Sequence, residues 1–203
     1  MRGLVRVGAA VPSLALGNVK ENMKRHLAMM REAKEKHVSI VTFPELSLTG
    51  YTCGDLFFQR RLLDDVTDAL LALKDEMPEG ILAVVGAPLE IEGALYNCAV
   101  VLHKGEIISA VPKTFLPNNG EFYEKRWFQS GDARRDASAA IPKLKTDVCR
   151  QAIFETEDGV CFGIELCEDL WAPLPPSTML SVEGAEIILN LSASNERLSK
   201  RQY

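Results

Sequence analysis

Val160-Cys161-Phe162-Gly163-Ile164-Glu165-Leu166-Cys167-Glu168-Asp169-Leu170-Trp171 opens as an apolar run and closes on a cysteine flanked by acids. Val160 to Glu165 reads as a strand, and the chain then bends at Cys167 toward a helical turn. The same grammar occurs twice upstream. Val38 to Phe43 is a buried-type strand followed at once by Pro44-Glu45, and Glu106 to Val111 is a strand followed by Pro112-Lys113. Proline cannot extend a sheet ladder, so it turns the chain at the strand exit. Helical patterns lie among these strands. Asn18 suits the cap of a helix whose apolar face uses Val19, Met23, Leu27, Met30 and Ala33. A second helix is predicted from about Leu62 to Met77, with Leu63, Val66, Leu70 and Leu73 as its stripe, and a third around Pro176 to Glu183. Val5 to Ala10, Ile81 to Ala87, Asn97 to His103 and Glu186 to Leu191 complete the strands, with Lys104-Gly105 as a hairpin turn. Alternation of this kind predicts an α/β fold. The stretch from Pro112 to about Lys145 carries no period and reads as a functional loop region.

Composition narrows the classes. The chain has 203 residues, 47% of them apolar and 25% charged, which suits one soluble domain with a sizeable core. A net charge of -5 argues against nucleic acid or an anionic membrane as partner. No run approaches the roughly 20 apolar residues of a membrane span, and the opening Met1 to Val7 reads as a strand rather than a signal peptide. Five cysteines, Cys53, Cys98, Cys149, Cys161 and Cys167, form no tight framework. They fit reduced thiols, so a cytoplasmic location is expected. There is no CxxC pair, and His26, His37 and His103 lack metal-ligand spacing, so no metal is expected. Neither a Walker pattern nor a GxGxxG loop is present.

Sites in α/β folds gather at the carboxyl ends of strands, which singles out Glu45, Lys113 and Cys167. A thiol at a backbone corner can attack a carbonyl carbon while the following N–H groups face the oxyanion. None of the three histidines stands where a Cys–His pair needs it, so the proton acceptor must be another group. Glu45 can serve as that base, and Lys113 can supply positive charge to the oxyanion. Taken singly, each also fits a plainer role: an inert buried thiol, an exposed loop acid, a solvated lysine.

Together, Phe43-Pro44-Glu45, Pro112-Lys113 and Glu165-Leu166-Cys167-Glu168-Asp169 resemble the nitrilase superfamily of carbon–nitrogen hydrolases, which carries a Glu–Lys–Cys triad in this order. Within it, Pro44 to Tyr51, Leu116-Pro117 through Glu121-Phe122-Tyr123-Glu124, Cys167 to Trp171 and Leu191-Ser192-Ala193-Ser194 are similar to the glutaminase domains of glutamine-dependent NAD+ synthetases. The resemblance implies a nitrilase-like α-β-β-α sandwich formed by residues 1–203, truncated at its C-terminal end. It implies that Glu45 acts as base, Cys167 as nucleophile and Lys113 as oxyanion partner, with Glu121 as a further catalytic glutamate. Tyr51, Asn119, Phe122, Glu168, Ser194 and Lys200 fall where this branch contacts glutamine. Asn119 stands where tyrosine is common and Lys200 where arginine is common, and a lysine would hold the substrate carboxylate without a bidentate fork. The implied cofactor set is empty for this domain, with ATP and magnesium serving a synthetase domain beyond it. The implied partners are that domain and further copies of the chain. Two other readings stay open: a stand-alone amidase or carbamoylase using the same triad, and a non-catalytic assembly domain of the same fold.

Overall fold

The computed structural model describes residues 4–133, 138–195 and 198. Its larger sheet has seven strands. β1 (Val7–Ala9), β2 (Ile40–Thr42) and β3 (Leu82–Ile91) run parallel, and β4 (Ala94–His103) and β5 (Glu106–Pro112) continue antiparallel. β6 (Ser138–Ile141) and β7 (Thr146–Cys149) finish the far edge, with β7 pairing β5. The smaller sheet holds β8 (Ile153–Glu155), β9 (Cys161–Leu166) and β10 (Ile187–Leu191), with β9 central and parallel to β10.

Alternation along the strands divides the interior into two cores. On β4, Cys98, Val100 and Leu102 face one way, into a core shared with helices α1 (Val19–Glu35) and α2 (Arg60–Glu76). Ala99 and Val101 face the other way and meet Phe162, Ile164 and Leu166 of β9 and Leu189 and Leu191 of β10. Period-two side chains thus make one sheet the shared wall of both cores. On the outer face of β9, helix α4 (Pro176–Val182) lies so close that a Cβ at Gly163 would stand 2.8 Å from Leu180 Cδ1. The layers are helices, sheet, sheet, helix: the α-β-β-α sandwich that the sequence implied.

The helices form where the pattern placed them. The Asn18 side chain accepts from Glu21 N at 3.2 Å and caps α1. The buried face of α1 also carries Asn22 and His26, two polar residues that the apolar stripe passes over. On α2 the buried stripe is Leu62, Val66, Ala69, Leu70 and Leu73, and the expected Leu63 is half-buried. Lys104 and Gly105 have φ of 48° and 75° and make a tight hairpin turn with positive φ at both central residues. Glu92-Gly93 makes a second such turn, with φ of 51° and 81°, so β3 and β4 extend further than the apolar runs suggest. The stretch from 112 to 145 is less loop-like than expected. It contains helix α3 (Glu124–Trp127), a 3-10 turn at Gly131–Ala133 and strand β6. These pieces are too short to leave a period in the sequence.

Candidate active site

Four strand ends meet at one place. Phe43 N donates to Val84 O at 2.8 Å where the chain leaves β2, and Pro44 turns it so that Glu45 lies over β3. That crossing needs Gly86. A Cβ there would stand 2.3 Å from Pro44 O and 2.4 Å from Leu46 N, and Leu48 N bonds Gly86 O at 3.1 Å. Lys113 leaves β5 with its N–H bonded to Asn97 O of β4 at 2.8 Å. Cys167 directly follows β9 in the left-handed region, with φ of 44°. Such a conformation costs a non-glycine residue about 1–2 kcal/mol, and here it turns the sulfur out of the sheet end. Ala193, just past β10, donates its N–H to Glu45 Oε2 at 3.1 Å.

The floor of the site is a closed network of buried charge. Lys113 Nζ donates to Glu45 Oε1 and to Glu124 Oε1, each at 2.6 Å, and all three side chains are at most 1% exposed. Asn97 Nδ2 donates to Glu45 Oε1 at 2.7 Å and to Glu124 Oε2 at 3.3 Å. Carboxylates only accept, so the amide must present its nitrogen here. Tyr51 completes the ring by donating from its hydroxyl to Glu124 Oε1 at 2.6 Å. Burial alone would lower the Lys113 pKa, but the Glu45 and Glu124 carboxylates outweigh it and hold the ammonium charged. Burial raises the Glu124 pKa, with Glu45 adding to the shift and Lys113 opposing it.

Cys167 is 8% exposed. Burial, and then the Glu45 charge, push its thiol up to about 11, while Lys113, the Ala193 N–H and the Ser192 hydroxyl pull the other way. The sulfur is therefore a protonated thiol near neutral pH and needs a base as it reacts. The arrangement can attack an electrophilic carbon, pass one proton to a neighbouring carboxylate and place a fixed cation beside the oxygen that becomes negative.

Residues 6–203 match the family model described as carbon-nitrogen hydrolase. The chain belongs to the carbon-nitrogen hydrolase family. It is 38% identical over 198 residues to the glutamine-dependent NAD(+) synthetase of Mycobacterium tuberculosis, covering 95% of this chain and 29% of that protein. The solved glutamine-dependent NAD(+) synthetase of Cytophaga hutchinsonii superposes with a TM-score of 0.83 at 28% identity, covering 98% of this chain and 32% of that one. An amidase from Nesterenkonia sp. shares the fold, with a TM-score of 0.76 at 17% identity over 97% of this chain and 68% of that one. The chain thus spans about three tenths of the length of the synthetases it matches.

In this carbon-nitrogen hydrolase the residues singled out by sequence divide into two groups. Glu45, Lys113 and Tyr51 join the buried network, and Cys167 faces it. Glu121 does not join. It is exposed, and its carboxylate accepts from the Asn195 side chain at the rim. The carboxylate on the lysine is Glu124, three residues on, because α3 begins there and turns Glu124 inward. Helix α3 is docked by Arg126, which forks onto Asp55 with two bonds of 2.7 Å, and by Trp127 Nε1, which bonds Asp55 at 2.9 Å. The expectation for Glu121 is corrected accordingly.

The other expected contacts form a looser rim. Phe122 is half-buried, its ring edge-on to Tyr51 at 6.2 Å. Asn119 is exposed and its carbonyl accepts from Phe122 N at 3.1 Å, closing a turn. Glu168 is half-buried, Ser194 is exposed, and Lys200 lies outside the described residues. Sequence reasoning missed Asn97 and Asp169 as well as Glu124. Asn97 had a signal, a lone amide inside the run Tyr96-Asn97-Cys98-Ala99-Val100, where an apolar side chain is the rule. Among the described residues, no group of three or more histidines, cysteines or acids is placed to hold a metal ion.

Proposed function

We propose that this chain is the glutaminase part of a glutamine-dependent NAD+ synthetase, hydrolysing the side-chain amide of glutamine to release ammonia. The observation that carries the chemistry is Lys113 held at 2.6 Å from Glu45 beside a cornered, protonated Cys167. The substrate follows from the relatives, whose names state glutamine dependence over 95% of this chain.

Glu45 takes the thiol proton as the Cys167 sulfur bonds to the amide carbon. The carbonyl oxygen becomes an oxyanion between the Lys113 ammonium and the backbone N–H following Cys167. Glu45 then gives the proton to the departing nitrogen, and ammonia leaves a γ-glutamyl thioester on Cys167. Water, deprotonated by Glu45, attacks the thioester and frees glutamate and the thiol. Glu124 keeps Lys113 aimed and charged, in the role that the sequence assigned to Glu121. Tyr51 and Phe122 form the wall nearest the nucleophile, with Asn119, Glu168, Ser194 and Lys200 as the outer contacts for glutamine. ATP and magnesium would act in the synthetase part that uses the ammonia, and further copies of the chain would assemble through this domain, in the cytoplasm.

Ammonia release from glutamine, compared with release from asparagine, simple amides and N-carbamoyl amino acids, tests the reading. Selective turnover of glutamine is expected. Turnover of the other amides with glutamine untouched would make the chain a general amidase. No release from any amide by the full synthetase would leave an assembly role.

A further inference from the structure

Asp169 sits two positions past the nucleophile and is 1% exposed. Its Oδ1 accepts from Phe115 N at 2.7 Å and from Thr114 N at 3.1 Å, and its Oδ2 accepts from Leu166 N at 3.0 Å. Leu166 directly precedes Cys167 and Thr114 directly follows Lys113, so one carboxylate grips the backbone one residue from the nucleophile and one residue from the oxyanion lysine. The Leu166 contact is a local cap of the 3-10 turn Cys167–Trp171. The other two are not local: Thr114 and Phe115 are 55 and 54 positions away. A cap alone needs neither.

We propose that Asp169 is a positioning residue for the hydrolase, a strap that fixes the distance between the Cys167 sulfur and the Lys113 ammonium by tying their two strand exits together. The strap joins different sheets, since Cys167 leaves β9 and Lys113 leaves β5. Val111 at the end of β5 shares a buried core with Phe162, Ile164 and Leu166 of β9, and Asp169 adds hydrogen bonds that run from one exit to the other. The lysine exit is held from its other side by Gly131 N, which donates to Lys113 O at 2.7 Å, and by the Ser130 hydroxyl on Thr114 O. Asp169 thus supplies the pull toward the nucleophile. Burial pushes the Asp169 carboxyl up to about 6, with the Phe115 and Leu166 N–H groups working against it. It therefore remains ionised near neutral pH, where a carboxylate accepts from backbone N–H groups about twice as strongly as a neutral acceptor. Asparagine at this position has nearly the same shape but brings a donor against one of the three N–H groups.

This proposal rests on the thiol-hydrolase reading, and the experiment separates the two. The full chain is treated with a γ-diazoketone analogue of glutamine, and Cys167 alkylation is followed by peptide mass spectrometry to give an inactivation rate constant and a half-saturating concentration. Wild type is compared with Asp169→Asn and with Leu180→Ala, a buried substitution between α4 and β9 that lowers stability away from the exits. The expected result is a fall of about 10- to 100-fold in the rate constant for Asp169→Asn, as for a misplacement of the reacting groups by about 1 Å. The half-saturating concentration should stay within about threefold, and Leu180→Ala should react like wild type. If Asp169→Asn does not accumulate folded, Asp169→Glu, which keeps the charge but moves the carboxylate, carries the same expectation. A rate constant within twofold of wild type, or an equal loss in Leu180→Ala, overturns the strap. Absence of Cys167 alkylation in wild type overturns the hydrolase reading and the strap with it.

Discussion

The floor and the rim of this site are built by opposite means. On the floor, Lys113, Glu45, Glu124, Asn97 and Tyr51 bond to one another, and all but the half-buried Tyr51 are essentially sealed from water. Around the rim, Asn119, Phe122, Glu168 and Ser194 stand on loops, half-buried or exposed. A buried ion pair is weak evidence for stability, because desolvating the charges consumes much of what their attraction returns. What such a network supplies is position: once assembled, its dipoles need no reorganisation during reaction. The rim needs the reverse property, since on the proposed reading glutamine enters and leaves past it. On that reading the chemistry is fixed by strand ends and the specificity by loops.

Substitution on the floor should therefore produce the largest effects. Lys113→Met leaves two buried carboxylates facing each other without a cation. Ammonia release should fall by about 10³-fold or more, and thermal or urea unfolding should show a loss of about 3–5 kcal/mol. An active, equally stable Lys113→Met variant would break the contrast between floor and rim. Next in size is Gly86→Ala, which contacts no substrate. Its Cβ would meet the Pro44 carbonyl oxygen at 2.3 Å, so the Glu45 loop must shift. Turnover should fall by about 10²-fold with a circular dichroism spectrum like that of wild type.

A third test concerns what lies beneath the floor. His26 donates from Nδ1 to Asn22 O at 2.7 Å and accepts at Nε2 from the Ser47 hydroxyl at 2.8 Å, which braces the loop carrying Glu45. Burial lowers its pKa from 6.5 to about 4, opposed by the Asn22 carbonyl. The unfolded chain therefore binds more protons than the folded one between these values, and folding stability rises with pH across that window. The His26 contribution is full above about pH 6.5 and is lost as the pH falls toward 4, on the order of 3 kcal/mol. Urea titrations from pH 4 to 7 should show that slope, and His26→Gln should flatten it. The smallest effect is expected at the rim: Asn119→Ala should raise KM by no more than about threefold with kcat unchanged. A loss of kcat there would move Asn119 into the chemical machinery.

The floor was partly legible in the sequence because each strand that delivers it is a recognisable apolar run with a sharp ending. Proline after Phe43 and after Val111, and acids after Leu166, marked Glu45, Lys113 and Cys167 before any contact was known. Glu124 was not separable from Glu121 in this way. The choice depends on where a four-residue helix starts, and that start is set by Asp55 gripping Arg126 and Trp127 from 71 and 72 positions away. Asp169 shows in the sequence only as one of the acids flanking Cys167, whereas its carboxylate accepts from backbone N–H groups of another loop. The α/β class followed from alternation of strands and helices, and the layered sandwich from the resemblance to nitrilase-like hydrolases. Short strands such as β6, β7 and β8 did not, because three or four residues carry too little periodicity to distinguish.

The thiol itself gives a further check. With burial and Glu45 pushing Cys167 up to about 11, its alkylation by iodoacetamide in the absence of substrate should be slow at pH 7 and still rising above pH 9. A plateau below pH 7 would mean a resting thiolate and remove the need for Glu45 as base.

The most direct measurement is an acid quench of the protein within its first turnover of glutamine, followed by peptide mass spectrometry. A γ-glutamyl thioester on Cys167 is expected, absent in Cys167→Ala and depleted in Glu45→Gln. Ammonia release with no adduct on Cys167, or an adduct on Cys53, Cys98, Cys149 or Cys161, would contradict the assignment of Cys167 as the nucleophile.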